Sequence, residues 1–198
     1  MSDTTGYVTG EDWALKNKLT GIFVSDEKNN HREVPIWFAI PDLESRSQTY
    51  PYMTIELIDV RWASNRQSSG YMTDPDKQGT IAPDGTTVYS YAMPIPWDLI
   101  YQINVWTRHP RHDRYILKHL LSNVFPATHG YIRVSNELGT EYSYRHLILE
   151  EFVKRDTVEN GRRLFRSVFT VSISSESVAG VSAPGTLPDT VVTSITSQ

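Results

Sequence analysis

The chain has 198 residues, 39% hydrophobic and 21% charged, which is typical of one globular domain. A net charge of −4 argues against general nucleic-acid binding, and the absence of cysteine excludes disulfides and thiolate metal sites. No apolar run approaches the length of a membrane span, and the polar start lacks a signal-peptide pattern, so we expect synthesis in a cytosol without export.

The N-terminal third predicts one helix and two strands. Residues 1–9 are small and polar and are expected to be loose. Residues 10–24 combine acidic residues in a first turn with an apolar stripe at helical spacing, which predicts a helix. The segment VPIWFAIP predicts a short strand, and residues 50–64, rich in β-branched and aromatic residues, predict a longer one.

A turn-rich excursion follows over residues 65–95. Its first part is dense in glycine, proline, aspartate and serine, which favours a long hairpin or loop rather than core structure. Such excursions more often serve function than folding. This one carries large side chains that are typical of interfaces, namely Tyr71, Tyr89, Tyr91 and Met93. We therefore expect it to form an assembly surface.

The middle of the chain predicts a strand, a helix and a further strand. IPWDLIYQINVWT alternates apolar and polar residues, as a strand does. Residues 110–125 then carry an apolar stripe at helical spacing and stop near Pro126, which predicts an amphipathic helix. We expect this helix to bury Ile116, Leu120, Leu121 and Val124. GYIRVSN predicts another short strand.

A long hairpin is predicted near the end of the chain. Asn160-Gly161 favours a two-residue turn, because both turn positions need positive φ. In that register two pairs face each other: Phe152 with Phe169, and Ile148 with Ile173. Both faces of the hairpin are partly apolar, which suits a sheet covered by helices on one side and by another layer on the other.

Residues 176–198 shift to serine, threonine, valine, glycine and proline and predict an extended C-terminal arm. The arm repeats β-branched residues that suit strand addition to a neighbour's sheet edge: Val178, Val181, Val191, Val192 and Ile195. Plain disorder is the alternative for this arm. The predicted organisation is thus a flexible N-terminus at 1–9, one domain at 10–175 containing the protruding excursion, and the arm.

The stretch TRHPRHDRYILKH, residues 107–119, allows three interpretations, of which a metal site is the first. On a helix His112 and His119 lie roughly 10 Å apart, so that one ion cannot bind both. Only His109 and His112 are spaced to chelate, with Asp113 as a third ligand, and the H-E-x-x-H pattern is absent. We predict that this stretch binds no metal.

The second interpretation is an anion site, because Arg108, Arg111 and Arg114 flank a predicted helix N-terminus. No glycine-rich loop precedes it. The third, which we favour, is a polar connection from strand to helix with a solvated arginine rim, in which Pro110 and Asp113 suit the first helical turn. The chain also lacks a nucleophile elbow, a P-loop and a dinucleotide-binding glycine motif, so we predict no catalytic residue and no cofactor.

Together these elements predict an α+β fold: a mainly antiparallel, mixed sheet with two helices packed on it, a long hairpin excursion and an extended C-terminal arm.

The order of these elements resembles that of a known protein family. A helix precedes YPYMTIELIDV, a loop leads to WDLIYQINVWTRHPRHDRYILKHLLSNVFP, and a hairpin carries ENGRRLFRSVFTVSIS. Over roughly residues 10–175 the chain resembles the tail-terminator and neck family of long-tailed bacteriophages.

The resemblance implies a structural protein of the virion, made in the host cytoplasm, and no enzyme. It implies a hexameric ring that caps the head-proximal end of the tail tube and joins it to the neck. The implied partners are further copies of the chain, the tail tube protein, neck or connector proteins, a sheath protein if the tail is contractile, and DNA in passage, but no membrane. Arg108, Arg111 and Arg114 become candidates for the rim of a DNA channel.

The excursion is long for this family and the C-terminal arm is extra, so two other classes stay open. One is a different neck, connector or baseplate structural protein, or a scaffold outside a virus. The other is a small soluble enzyme, in which His109, His112 and Asp113 would converge with distant residues. Oligomeric state separates these classes, because a ring protein assembles in solution.

Overall fold

The computed structural model of the chain describes residues 6–25, 31–38, 50–72, 87–125, 130–135, 142–159, 161–177 and 181–186. Two α-helices accompany a large share of β-structure in these residues, which confirms the α+β class. The helices are α1 (Gly6–Leu19) and α2 (Pro110–His119), and α2 continues into a π-helical turn at Leu120–Val124. The strands are β1 (Phe23–Ser25), β2 (His31–Glu33), β3 (Ile36–Phe38), β4 (Tyr52–Trp62), β5 (Tyr71–Met72), β6 (Thr87–Ala92), β7 (Ile95–Thr107), β8 (Gly130–Ser135), β9 (Tyr142–Lys154), β10 (Thr157–Glu159), β11 (Arg162–Ser177) and β12 (Val181–Thr186).

The large sheet is mixed and mainly antiparallel, as expected. Its strand order is β3-β4-β7-β11-β9-β8, and β10 pairs with β11 beside this path. β3 runs parallel to β4, whereas β4 with β7, β11 with β9, and β9 with β8 are antiparallel pairs. The strand predicted from IPWDLIYQINVWT spans the whole of that segment, in which apolar residues recur at every second position from Trp97 to Val105.

The hydrophobic core joins the helices to one face of this sheet. Alternate residues of a strand point to the same face, so the odd-numbered residues of β7 form a row directed at the helices. The core includes Leu15 and Leu19 of α1, Ile116 of α2, Leu120 of the π-helical turn, Tyr101, Ile103 and Val105 of β7, and Phe169, Val171 and Ile173 of β11.

The expected buried face of α2 is correct for Ile116, Leu120 and Val124, but it is wrong for Leu121, whose side chain is 39% exposed. The helix widens where Leu121 lies, since the N–H of Phe125 donates to the carbonyl oxygen of Leu120 at 2.8 Å, a bond between residues i and i+5. This wider turn changes the direction of each side chain relative to an ideal α-helix, and Leu121 leaves the core.

The bounds of α1 also differ from the prediction. The helix begins at Gly6, so residues 6–9 are helical rather than loose, and residues 1–5 lie outside the described part. It ends at Leu19, and Phe23–Ser25 form a strand paired with β2 instead of a last helical turn. The cause is Gly21, whose φ of 90° is incompatible with continuing a right-handed helix.

The predicted hairpin turn is confirmed. Glu159 pairs with Arg162 on either side of the predicted turn, and Gly161 has a φ of 71°, whereas Asn160 lies outside the described residues. Phe152 faces Phe169, as expected from the turn alone. Farther along, the register shifts by one residue between Thr170 and Val171, so two pairs differ from the prediction: Ile148 faces Ser172, and Ile173 faces Leu147.

The chain divides into two compact units. The first comprises residues 1–62 and 97–175 and contains both helices and nearly all of the large sheet. The second comprises residues 63–96 and 176–198, and its strands form a sheet of order β12-β6-β5. Within it, Val181–Thr186 pairs antiparallel with Thr87–Ala92, so part of the expected C-terminal arm is a strand on the expected excursion of the same chain.

Neither helix in the described ranges is long and apolar enough to cross a membrane.

Candidate functional site

Two side chains of the histidine stretch, those of His112 and Asp113, attach the first turn of α2 to neighbouring strands. His112 is buried, and its Nε2 lies 3.2 Å from the carbonyl oxygen of Ser25, so this ring packs inside rather than reaching solvent. Asp113 is also buried, and its carboxylate pairs with the Lys154 ammonium and accepts a hydrogen bond from Ser167 Oγ at 3.3 Å. The predicted position of Asp113 in the first helical turn is correct. Its contacts with Lys154 of β9 and Ser167 of β11 were not predicted.

These contacts leave little metal-binding capacity in the stretch. The rings of His109 and His112 lie 5.3 Å apart between centroids, but both oxygens of Asp113 are engaged by Lys154 and Ser167. Across the described ranges, no group of three or more histidine, aspartate or glutamate side chains is placed to hold an ion.

A pocket rich in arginine lies beside this stretch, where β7 ends, α2 begins and the tip of the last hairpin approaches. We call it the arginine pocket. It has a volume of about 680 Å³ and is lined by Tyr50, Arg108, His109, Pro110, Arg162, Arg163 and Phe165. Of the three arginines predicted at this end, Arg108 lines the pocket, whereas Arg111 and Arg114 are exposed on α2 outside its lining.

Aromatic rings orient the guanidinium groups of the arginine pocket. Arg108 lies over the ring of Tyr50 at 4.4 Å, and Arg163 lies over Phe165 at 5.1 Å. Arg163 also pairs with Asp156 at 3.0 Å, which offsets part of the local positive charge. A planar guanidinium held on an aromatic ring is suited to bidentate binding of a carboxylate or a phosphate.

Sequence reasoning missed the second half of this pocket, formed by Arg162, Arg163 and Phe165. They are more than fifty residues from Arg108 in the chain, and no local pattern shows that the two segments meet. The available signal was the run GRRLF at the predicted hairpin turn, which places two arginines at an exposed tip. Only the strand order places that tip beside the end of β7.

An acidic patch lies farther along the same sheet. We define it by Asp59 of β4, Asp98 of β7, and Glu150 and Glu151 of β9. Arg61 joins it: this side chain pairs with Asp59 at 2.8 Å and lies directly opposite Asp98. The hydrogen bond and charge of Asp59, followed by the charges of Glu150 and Asp98, raise the pKa of Arg61 above its ordinary value, so these three carboxylates lie within electrostatic reach of Arg61.

An apolar edge runs along the second half of β4. We define it by Leu57, Ile58, Val60 and Trp62, which are 36%, 48%, 48% and 59% exposed. β3 pairs only with Met53–Ile55, so among the described residues no strand covers the outer side of β4 beyond Ile55. An irregularity between Leu57 and Asp59 sets the register so that Val60 faces Leu99 and Trp62 faces Trp97.

This irregularity sorts the side chains of β4 between the two faces of the sheet. Residues directly opposite one another share a face, so Leu57, Val60 and Trp62 lie on the face of Tyr101, Leu99 and Trp97. Asp59 and Arg61 lie on the other face, with Ile100 and Asp98. The end of β4 is therefore apolar on one side and charged on the other.

Two carboxyl groups of α1 pack against the sheet, of which Glu11 is buried and Asp12 is half-buried. Glu11 accepts a hydrogen bond from Ser175 Oγ at 2.5 Å, whereas its Oε2 has no hydrogen-bond partner among the described residues. Burial raises the pKa of Glu11, although Ser175 and the charge of Arg145 act in the opposite direction. Asp12 accepts a hydrogen bond from the Tyr101 hydroxyl at 2.6 Å, and burial raises the pKa of both groups.

The predicted assembly residues fall in or near the second unit. Tyr71 lies on β5, Tyr89 and Tyr91 on β6, and Val181 on β12, where the backbone is described. Met93 follows β6, and its N–H donates to the carbonyl oxygen of Gly70 at 3.2 Å. Four of the predicted residues lie outside the described part: Val178, Val191, Val192 and Ile195.

No family model matches the chain, and no curated protein is significantly similar to it in sequence. Among solved structures, the chain is similar to the sheath/tube terminator, in its extended state, of PVC, an extracellular contractile injection system. The likeness covers 96% of this chain at 14% identity and a TM-score of 0.39. The chain spans 65% of the length of that protein, and a likeness this weak establishes neither a shared fold nor a shared role.

Proposed function

We propose that the chain is a structural subunit of a phage-like tail, which associates with copies of itself into a ring and terminates the tail tube at its head-proximal end. The order of elements that underlies the resemblance supports this proposal, since α1 precedes β4, β7 feeds the amphipathic α2, and β9 and β11 close the sheet. The proposed partners are the tail tube protein, a neck protein and, in a contractile tail, a sheath protein.

The observation that carries the proposal is the apolar edge. Single exposed apolar side chains are normal on a protein surface, but four large ones within six residues of an edge strand are not. A strand edge that no further strand covers also leaves backbone groups outside the hydrogen-bond ladder of the sheet, which favours pairing with another chain. A subunit that buries this edge in an assembly removes the apolar side chains from water and also covers the edge of the strand. An enzyme that acts as a monomer gains nothing from leaving it exposed.

Self-association is tested by replacing one side chain of the apolar edge. Val60→Ser should weaken assembly about tenfold or more, because full burial of a valine is worth about 1.5–3 kcal/mol. Val158→Ser is the matched control, since Val158 is 75% exposed on the short strand β10. Size-exclusion chromatography with light scattering over a range of concentrations measures the effect, and electron microscopy identifies rings.

The assembly role is tested with tail tubes assembled from a tube protein of the same particle. The wild-type chain should stop tube elongation and appear as a ring at one end. A chain that stays monomeric at all concentrations and leaves tube length unchanged would contradict the proposal. A chain that forms rings but binds the opposite end of the tail would point to a baseplate role instead.

A further inference from the structure

A groove lined by tyrosine and basic side chains lies at the edge of the large sheet that β8 forms. We call it the tyrosine groove. It has a volume of about 520 Å³, and its lining from α1, β8 and the start of β9 includes Lys18, Tyr131, Arg133, Tyr142 and Tyr144. These residues all belong to the first compact unit. β8 ends the strand order of the sheet on the side opposite to β3 and β4, so the groove is separate from the apolar edge.

Two cations of the tyrosine groove have no carboxylate partner within the described part of the chain. The Lys18 ammonium donates to the carbonyl oxygen of Tyr131 at 3.1 Å, which uses one of its three N–H bonds. The Arg133 guanidinium lies over the ring of Tyr142 at 3.4 Å. An arginine held flat on an aromatic ring is suited to bidentate binding of a carboxylate. Both cations can therefore bind an incoming carboxylate.

The outer side of β8 is the second feature of the groove. Among the described residues β8 pairs only with β9, so backbone groups along its other side lie outside the ladder of the sheet. An extended peptide adds to such an edge by main-chain hydrogen bonds, while its side chains give specificity. Tyr131 and Arg133 lie two residues apart, about 7 Å along the strand, which is also the spacing of alternate residues in an added strand. Carboxylates two positions apart on that strand therefore match Lys18, which lies at Tyr131, and Arg133.

The tyrosine rings favour a peptide over a single-stranded nucleic acid in this groove. Tyr131, Tyr142 and Tyr144 are each more than half exposed. Bases of a nucleic acid strand would need open ring faces on which to stack. The Tyr142 ring is instead covered by Arg133, and the Tyr131 ring contacts His146 at 5.6 Å between centroids. Exposed tyrosines are typical of protein interfaces, where their rings supply contact area at low conformational cost.

We propose that the tyrosine groove binds an extended, acidic segment of a partner protein. The segment adds as a strand to the outer side of β8, and its carboxylates bind the Lys18 ammonium and the Arg133 guanidinium. This contact is independent of the proposed ring, because it involves neither the apolar edge nor association between copies of the chain. Recognition depends on two properties of the segment, its carboxylates and its backbone N–H groups, and each can be removed separately.

Labelled peptides of about eight residues test both properties by fluorescence anisotropy with the full chain. A peptide of alternating glutamate and valine should bind about tenfold more tightly than one of alternating glutamine and valine, because only the first offers carboxylates. The glutamate-valine peptide with methylated backbone amides should also bind about tenfold more weakly, because it cannot complete the ladder. The inference fails if either control peptide binds as tightly as the glutamate-valine peptide.

Variants of the chain test the assigned residues. Lys18→Gln/Arg133→Gln should weaken binding of the glutamate-valine peptide about tenfold or more. Arg111→Gln/Arg114→Gln removes the same charge from exposed positions of α2 and should leave binding unchanged. Circular dichroism checks that the variants fold, and Lys18→Gln alone serves where loss of the Arg133 contact with Tyr142 prevents folding. Unchanged binding by a folded groove variant contradicts the assignment.

Three further measurements identify other occupants of the groove. Oligothymidylate of about eight nucleotides that binds more tightly than the peptide, and is lost in Lys18→Gln/Arg133→Gln, would assign the groove to nucleic acid. Loss of self-association in the same variant, measured by light scattering, would assign it to a second copy. Glu137→Gln/Glu141→Gln removes two carboxylates that lie between β8 and β9 in the sequence. Peptide binding by this variant but not by the wild type would mean that the chain's own carboxylates occupy the groove.

Each of these three results overturns the inference. Failure of the wild-type chain to form rings overturns the proposed function alone, since peptide binding is measured on the chain in any state of association.

Discussion

The buried carboxyl group of Glu11 makes the stability of the fold depend on pH. Its pKa is raised above the ordinary value of 4.5, chiefly by burial, so the folded chain holds this proton more tightly than the unfolded chain. Stability contributed by Glu11 is therefore fully present below pH 4.5 and declines as the pH rises towards the folded-state pKa. Above that pKa, the folded chain carries a buried charge at a constant cost.

Glu11→Gln should thus unfold at a higher denaturant concentration than the wild type at pH 7, and the difference should shrink as the pH falls towards 4.5. The amide keeps an oxygen that accepts from Ser175 and removes the charge. Urea unfolding followed by circular dichroism between pH 4 and pH 8 measures this. Glu33→Gln, at an exposed carboxylate that accepts from the Gly21 N–H, is the control. A variant less stable than the wild type at pH 7 would show that the charge of Glu11 is stabilising.

At the scale of elements, α2 attaches to the sheet in two ways. Its first turn is held by the polar contacts of His112 and Asp113, and its second half by apolar packing of Ile116, Leu120 and Val124. The π-helical turn then directs Leu121 outward. The regular part of the helix therefore packs in the core, and the irregular end changes the direction in which the Leu121 side chain points.

Leu120→Ala should lower the free energy of unfolding by about 2–5 kcal/mol, because Leu120 is fully buried and its truncation leaves a cavity. Leu121→Ala is the matched control at the next position, 39% exposed, and should cost less than about 1 kcal/mol. Denaturant unfolding of both variants gives the comparison. Equal losses would mean that the π-helical turn does not separate the two side chains.

At the scale of the whole molecule, the second unit joins two distant parts of the chain. β12, from the C-terminal segment, pairs with β6, from the excursion, and β6 pairs in turn with the two residues of β5. The excursion and the arm, predicted as separate assembly surfaces, thus share one small sheet. Isolated two-stranded sheets are marginal in water, so β12 is expected to matter for the order of this unit.

A chain truncated after Ser175 should keep the first unit folded, since both helices and the core residues of β11 remain. It loses β12, so the second unit should lose protection of its backbone amides, and rings or completed tails should form less efficiently. Hydrogen exchange reports on each unit, and tube capping reports on assembly. If the truncated chain caps tubes as well as the intact one, the assembly role rests on residues 65–95 without the arm.

The sequence by itself determined the features that depend on neighbours in the chain. Alternation located β7, helical periodicity located α2, and Asn160-Gly161 set the turn that pairs Phe152 with Phe169. The register beyond Thr170 and the exposure of Leu121 depend on an irregular ladder and a π-helical turn, which such patterns do not encode. Both are local departures settled by packing.

Only the tertiary structure decided which distant segments meet. The arginine pocket exists because β7 and the last hairpin tip reach the same end of the sheet, and the second unit exists because β12 pairs with β6. Asp113 is an example at a single residue. The sequence does not distinguish an aspartate that only begins a helix from one that is also buried against Lys154. Strand order and burial arise from contacts across the whole chain, so no stretch of neighbouring residues carries them.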